Sequence, residues 1–190
     1  SGYQKVIGNA NKKFNEHCKK LPIKTTEESG FLYVRSREPA RCPWCEGRFK
    51  VCVSRPRTLY RQDGSEIHLI IRRMKCQDCG RISHELPDIV VPYKRHEADT
   101  LSQALQSQEE VKTDLYCENS TILRWRLWFF LLRNYLEGAL RSLLQPLHST
   151  DFCCVRLPLY PLPHQPDGWL RCLVRSLVNA ARWPQTRLAW

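Results

Sequence analysis

Two cysteine pairs carry the clearest chemistry in the sequence. Arg41-Cys42-Pro43-Trp44-Cys45 and Lys75-Cys76-Gln77-Asp78-Cys79-Gly80 are two C-x-x-C knuckles, with thirty residues between Cys45 and Cys76. Two residues between thiols let one tight turn present both sulfurs to a single ion, and two such turns close a tetrahedral shell. Cys42, Cys45, Cys76 and Cys79 are therefore expected to hold one Zn²⁺. Four thiolates leave no open position for water or substrate, so the expected role is structural. Gly80 follows the second knuckle, where positive φ is commonly needed. The competing arrangement is two disulfides. A polar, basic start without a secretory signal favours a reducing, cytoplasmic setting, and hence metal. Of the other cysteines, Cys52 is expected to be buried in a strand, and Cys117 and Cys172 to pack between helices. Cys153-Cys154 is adjacent, a poor geometry for sharing one ion. His84 as a replacement ligand, or His17-Cys18 joining a histidine in a second site, are weaker alternatives.

Catalytic chemistry is not expected. A two-metal nuclease needs several converging carboxylates. After residue 119 only Glu137, Asp151 and Asp167 remain. No glycine-rich phosphate loop or serine nucleophile elbow is present.

The elements that must position the knuckles read as strands. Phe49–Val53 and Thr58–Arg61 are candidates, Asp63-Gly64 is a hairpin turn signal, and Glu66–Ile71 is rich in β-branched residues. Knuckle, hairpin, knuckle is the layout of a zinc ribbon. Its small core would depend on metal for folding. Leu86 to Tyr93 reads as an extended connector held open by Pro87 and Pro92. Helical spacing follows over residues 94–107 and again over 108–115. After a break at 116–119, a long third helix opens at Ser120, with Asn119 or Ser120 as its cap, and runs to Leu144. Its inner face would be Ile122, Trp125, Phe129, Leu132 and Leu136. Leu127 to Leu132 is apolar all round and is expected to be covered by the tail or a second subunit. A proline-rich linker over 156–166 leads to a last helix, capped by Asp167, with Trp169, Leu173, Leu177 and Ala181 on one face. The expected fold class is α+β: a small β zinc ribbon, then an all-α helix-turn-helix module with a C-terminal helical tail. The expected division is a basic arm over 1–39, the ribbon over 40–85, the helix-turn-helix over 86–145, and linker plus tail helix over 146–190.

Charge points to a partner. The chain of 190 residues has 30 Lys+Arg against 19 Asp+Glu, a net +11. Residues 1–75 hold 17 basic and 7 acidic side chains, residues 76–118 hold 4 and 9, and residues 119–190 hold 9 and 3. Two basic blocks around an acidic one suit a DNA reader with two contact elements. Ser120, Thr121 and Arg124 at the start of the third helix are the expected groove contacts, with Arg126 nearer the rim as a phosphate or flanking contact. Lys12, Lys13, Arg72 and Arg73 are the expected contacts of the arm and ribbon. No apolar run is long enough for a membrane span. The expectation is thus a zinc-containing double-stranded DNA-binding protein, cytoplasmic and nucleoid-associated. The alternative is an interaction module, homodimeric or docked on a transposase, recombinase or RNA polymerase. An RNA-binding ribbon, stacking bases on Trp44 or Tyr60, is a third possibility.

The Arg-Cys-Pro-x-Cys and Cys-x-x-Cys knuckles, His84, Leu86-Pro87-Asp88, Pro92-Tyr93-Lys94-Arg95 and Glu118-Asn119-Ser120-Thr121-Ile122 with Trp125-Arg126 resemble an uncharacterised bacterial family. So does the tail from Leu177-Val178-Asn179 through Trp183-Pro184 to Thr186-Arg187. Its members are small zinc-ribbon and helix-turn-helix proteins, filed as a domain of unknown function and often carried near mobile elements. The order of parts also resembles the N-terminal DNA-binding region of some insertion-sequence transposases. The resemblance implies binding to element ends or an operator. It implies no cleavage, because the transposase catalytic domain has no counterpart here.

Overall fold

The computed structural model describes residues 26–28, 30–35, 40–107, 115–144, 151–152, 155–159 and 165–184. Lys12, Lys13, most of the expected arm, the helical segment over 108–114 and the Cys153-Cys154 pair lie outside the described residues. The fold is mixed α+β. A small open sheet contains β1 (Thr26–Glu28), β2 (Phe31–Tyr33), β3 (Phe49–Tyr60), β4 (Glu66–Cys76) and β5 (Ile82–His84). Among the described residues three helices follow: α1 (Ala98–Gln106), α2 (Asn119–Leu144) and α3 (Trp169–Asn179). A two-stranded ladder of β6 (Asp151–Phe152) and β7 (Val155–Arg156) lies between α2 and α3.

The antiparallel pair β3–β4 runs from Phe49 opposite Cys76 to Tyr60 opposite Glu66. The two strands expected at 49–53 and 58–61 are one strand of 12 residues. Arg55-Pro56-Arg57 stays extended because proline's fixed φ suits a strand and its missing N–H is tolerated on a sheet edge. A bulge between Val51 and Val53 leaves Cys52 without a cross-strand partner and exposed, which corrects its expected burial. The Asp63-Gly64 signal lands in the hairpin loop. Gly64 has φ 82° and donates its N–H to Arg61 O at 3.1 Å, and Arg61 N–H donates to Ser65 O at 2.9 Å. A three-residue loop closed by a left-handed glycine matches strand twist.

β4 is the central strand: β3 lies on one side, β2 and β5 on the other. Its Ile67, Leu69 and Ile71 are buried at period two and meet Leu59, Val34 and Val90 in one core. The connector that follows β5 is not extended throughout, as its two prolines suggested, but bends in two turns, with Val90 N–H donating to Pro87 O at 2.9 Å and Lys94 N–H to Val91 O at 3.1 Å. Proline's fixed φ suits the start of a turn as well as an extended chain, and only the stretch between the turns is extended. Val90 joins the sheet core and Val91 the helical core, because neighbouring residues of an extended chain face opposite ways. The helix expected from residue 94 starts only at Ala98. The preceding residues instead extend the pairing of β3: Tyr60 N–H donates to Arg95 O at 2.7 Å and Glu97 N–H to Tyr60 O at 3.0 Å.

α2 is the axis of the second core. Ile122, Trp125, Phe129 and Leu136 are buried as the periodicity requires, joined by Trp128, Ala139, Leu140 and Leu144, while Leu132 is half-buried. The first helical bond, Ile122 N–H to Glu118 O at 3.2 Å, moves the cap to Glu118. α3 closes this core with Trp169, Leu173 and Leu177 fully buried. Its cap is Gly168, with φ 72°, not Asp167, and Ala181 falls beyond the helix end. Arg171 pairs with Asp99, and Arg175 with Asp88, fastening α3 to α1 and to the connector. The tail covers Trp128, whose ring lies 6.3 Å from Trp183. It does not cover Leu127, Phe130 or Leu131, which stay exposed along with Leu123. The apolar stretch of α2 is thus covered on one side only, since a helix presents opposite faces that one neighbour cannot both reach. Among the described residues, no helix is long and apolar enough to cross a membrane.

Candidate metal centre and nucleic-acid surface

The β3–β4 register brings the knuckles together at one end of the hairpin. The first knuckle precedes β3 and the second begins at the last residue of β4. The Sγ atoms of Cys42, Cys45, Cys76 and Cys79 all lie within 4.8 Å of one another. Cys42 and Cys79 are 3.6 Å apart, and Cys45 and Cys76 are 3.5 Å apart. A tetrahedron with metal–sulfur bonds of about 2.3 Å has edges of about 3.8 Å, whereas a disulfide needs about 2.0 Å. The geometry therefore fits one metal ion such as zinc, with each knuckle giving two ligands. His84 is not part of this cluster.

Both knuckles use the same backbone device. In the first, Cys42 N–H donates to Gly47 O at 3.0 Å and Glu46 N–H donates to Cys42 O at 2.8 Å. In the second, Cys76 N–H donates to Arg81 O at 2.8 Å and Gly80 N–H donates to Cys76 O at 3.2 Å. Glu46 and Gly80 hold the positive φ each turn needs, 58° and 72°. Gly47 is required for a different reason: a Cβ there would sit 2.3 Å from Asp78 Oδ2 and 2.9 Å from Cys76 Sγ. The knuckles approach too closely for any side chain at that position.

The four thiols cannot all ionise without a cation to share their charge. Backbone N–H groups of Cys79 and Asp78 favour the Cys76 thiolate against burial and lower its pKa to about 7. The Gly47 N–H also favours the Cys45 thiolate. The neighbouring sulfurs of Cys79 and Cys76, with burial, outweigh it and push Cys45 up to about 12. A divalent cation is the partner that would hold all four as thiolates.

The expected contact residues of α2 separate into two groups. Ser120 and Arg124 are exposed and Thr121 is half-exposed, at the open N-terminal end of the helix. Arg126 faces inward and donates to Ala104 O at 3.0 Å and Ser107 O at 2.8 Å. It thereby satisfies carbonyls at the C-terminal end of α1. On the hairpin, Arg72 is held by Glu85 in a two-pronged pair at 2.5 and 2.9 Å, which raises the arginine pKa. Arg73 is half-exposed, near His84, whose partner position across β5 it occupies. Sequence reasoning passed over Arg55, Arg57 and Arg95, which gather between β3 and the connector. The Arg-Pro-Arg triplet was the only available signal, because Arg95 lies almost forty positions further along the chain.

Residues 42–125 match the family model of a domain of unknown function, DUF6431. The matched stretch begins at the first knuckle cysteine and ends inside α2, so it takes in the whole metal centre, the hairpin, the connector and α1. Comparison with curated proteins found no match, and neither did comparison with solved structures.

Proposed function

We propose that this chain is a zinc-containing protein that binds double-stranded DNA and carries out no catalysis of its own. The observation that supports this reading best is the pairing of a four-cysteine cluster with a basic hairpin. The cluster ties the start of β3 to the end of β4, and Arg48, Lys50, Arg55, Lys75 and Arg81 are exposed on or beside those strands. Zinc would make this zinc ribbon rigid, and its cations would bind the phosphate backbone.

In this reading α1 and α2 belong to a helix-turn-helix, with α2 as the reader. Arg124 sits about one turn into α2, exposed, with no acidic partner among the described residues. Arginine there can give two hydrogen bonds to guanine, while Ser120 and Thr121 can bind phosphate. Arg73 and the basic residues Lys12 and Lys13 would add backbone contacts. Arg126 and Arg72 are engaged within the fold and contribute less. The resemblance to mobile-element proteins favours element ends, or an operator, as the target.

A second reading has its own support. Leu123, Leu127, Phe130 and Leu131 form an exposed apolar stripe on the same side of α2 as Arg124. Such a stripe favours docking on a protein, a transposase or recombinase among them. Selection from a random duplex library by the zinc-loaded chain separates the two. Enrichment of a motif that Arg124→Ala blurs at one base pair supports the DNA reader. No enrichment, with retention on a protein partner, supports the docking module.

A further inference from the structure

The chain has a second concave site that the metal centre does not explain. A cleft of about 740 Å³ lies between the open edge of β3 and the connector. Arg55 and Arg57 line it from β3, His84 from β5, and Tyr93 and Arg95 from the connector; Glu66 is its one carboxylate. Arg57 forms the floor, half-buried, with its guanidinium donating to Lys94 O at 2.6 Å. Arg55 and Arg95 are exposed and have no ion pair among the described residues. Three arginines face one carboxylate here, an excess of like charge that costs energy unless an anion is received.

The charges converge as well as crowd. Burial first, then Arg73, Arg55 and Arg57, hold His84 below the ordinary histidine range. Burial, then Arg95, does the same to Arg57.

Tyr93 marks the rim. Val91-Pro92-Tyr93-Lys94 is a turn closed by Lys94 N–H to Val91 O at 3.1 Å, and Tyr93 has φ 66°. Proline followed by positive φ is the pattern of a type II turn, whose third position normally belongs to glycine or asparagine. A tyrosine there is strained, yet the residue is 58% exposed and so gains little from the fold.

We propose that this cleft seats one backbone phosphate of bound DNA, held by Arg55 and Arg95 above Arg57, with the Tyr93 ring packed against the adjoining deoxyribose. The proposal rests on the DNA-binding reading and gives it a specific anchor away from α2. The ligand chemistry is a phosphate ester, and a free nucleotide is the other source of that chemistry.

The test uses the full zinc-loaded chain and a fluorescent 20-base-pair duplex titrated at several salt concentrations. Variants are Arg55→Ala, Arg95→Ala and Tyr93→Gly. Arg182→Ala, at an exposed position after α3, is the charge control. Each cleft arginine should lower the salt slope by about one, and more than the control does. Tyr93→Gly should weaken binding about threefold through lost apolar contact while the melting temperature holds or rises, because glycine suits the turn. A tyrosine needed only for folding would instead lower the melting temperature. Thymidine monophosphate at millimolar concentration should displace little duplex. If the cleft variants match Arg182→Ala, the cleft assignment falls and DNA binding stands. If the parent chain binds no duplex, both fall. If the mononucleotide binds tightly and arginine replacement abolishes that binding, the cleft serves free nucleotides and the backbone assignment is overturned.

Discussion

Glu46 and Gly80 hold the same place in two matching turns. Each lies four residues after the first cysteine of its knuckle, and each has a left-handed backbone, φ 58° and 72°. The N–H of each donates to the carbonyl of that cysteine, at 2.8 and 3.2 Å. Glutamate bears a Cβ penalty at this conformation that glycine avoids. Glu46→Gly should therefore stabilise the zinc-loaded protein by about 1 kcal/mol, and Gly80→Ala should destabilise it by a similar amount. Urea unfolding with zinc present measures both. Equal effects of one sign would mean that the turns are not equivalent.

Metal content tests the cluster itself. Protein purified without chelator should carry one zinc per chain, and Cys76→Ser should lose much of that zinc and several kcal/mol of stability, since binding and folding of so small a unit are linked. Native zinc content and melting temperature in Cys76→Ser would require a different ligand set.

The Nζ of Lys94 lies 4.4 Å from the centre of the Trp128 ring and has no hydrogen-bond acceptor among the described residues. Burial pulls the amine down to about 8. An unfolded lysine titrates near 10.4, so between these values the unfolded chain binds more protons. Stability should rise as pH climbs from about 8 to about 10, and the Lys94 penalty should be constant below 8. Lys94→Met removes the charge, keeps the stem, and leaves the carbonyl that Arg57 uses. It should raise stability at pH 7 and lessen the rise above pH 8, measured as the difference from the parent so that thiol titration cancels. Parallel pH profiles for the two proteins would contradict the assignment.

Arg124 and Arg126 should behave oppositely although two residues apart. Arg126→Ala strips donors from Ala104 O and Ser107 O and should cost about 1–2 kcal/mol of stability. Lysine should rescue only part, because it lacks the planar fork that reaches two carbonyls. Arg124→Ala should leave the melting temperature unchanged and weaken the preferred duplex by about 1–3 kcal/mol. Thermal melts and duplex titrations on both variants decide the matter, and a loss of stability in Arg124→Ala would make it a structural residue.

The metal centre was legible because its signal is local: two spacings of three and a hairpin turn place four sulfurs with no reference to the rest of the chain. The inner face of α2 was legible because one period governs it. What the sequence did not disclose depends on partners far along the chain. Arg126 looked like a rim contact until α1 set its carbonyls beside it, and Arg72 looked free until Glu85, just after β5, came to lie opposite it. Cys52 left the expected pattern through a one-residue bulge, which shifts the facing of a strand without a distinctive residue type. Leu127, Phe130 and Leu131 were expected to be covered by the tail and stay exposed, because composition reports that a face is apolar and not what covers it. The cleft arginines come from two segments, β3 and the connector, that only the fold joins.

Duplex affinity measured against salt concentration tests the proposed function most directly. For the full zinc-loaded chain, log affinity against log salt should be a straight line with a slope of about −4 or steeper, the release of counterions by at least four phosphate contacts. No duplex binding at low salt, or an affinity that salt leaves unchanged, would contradict DNA binding through this basic surface.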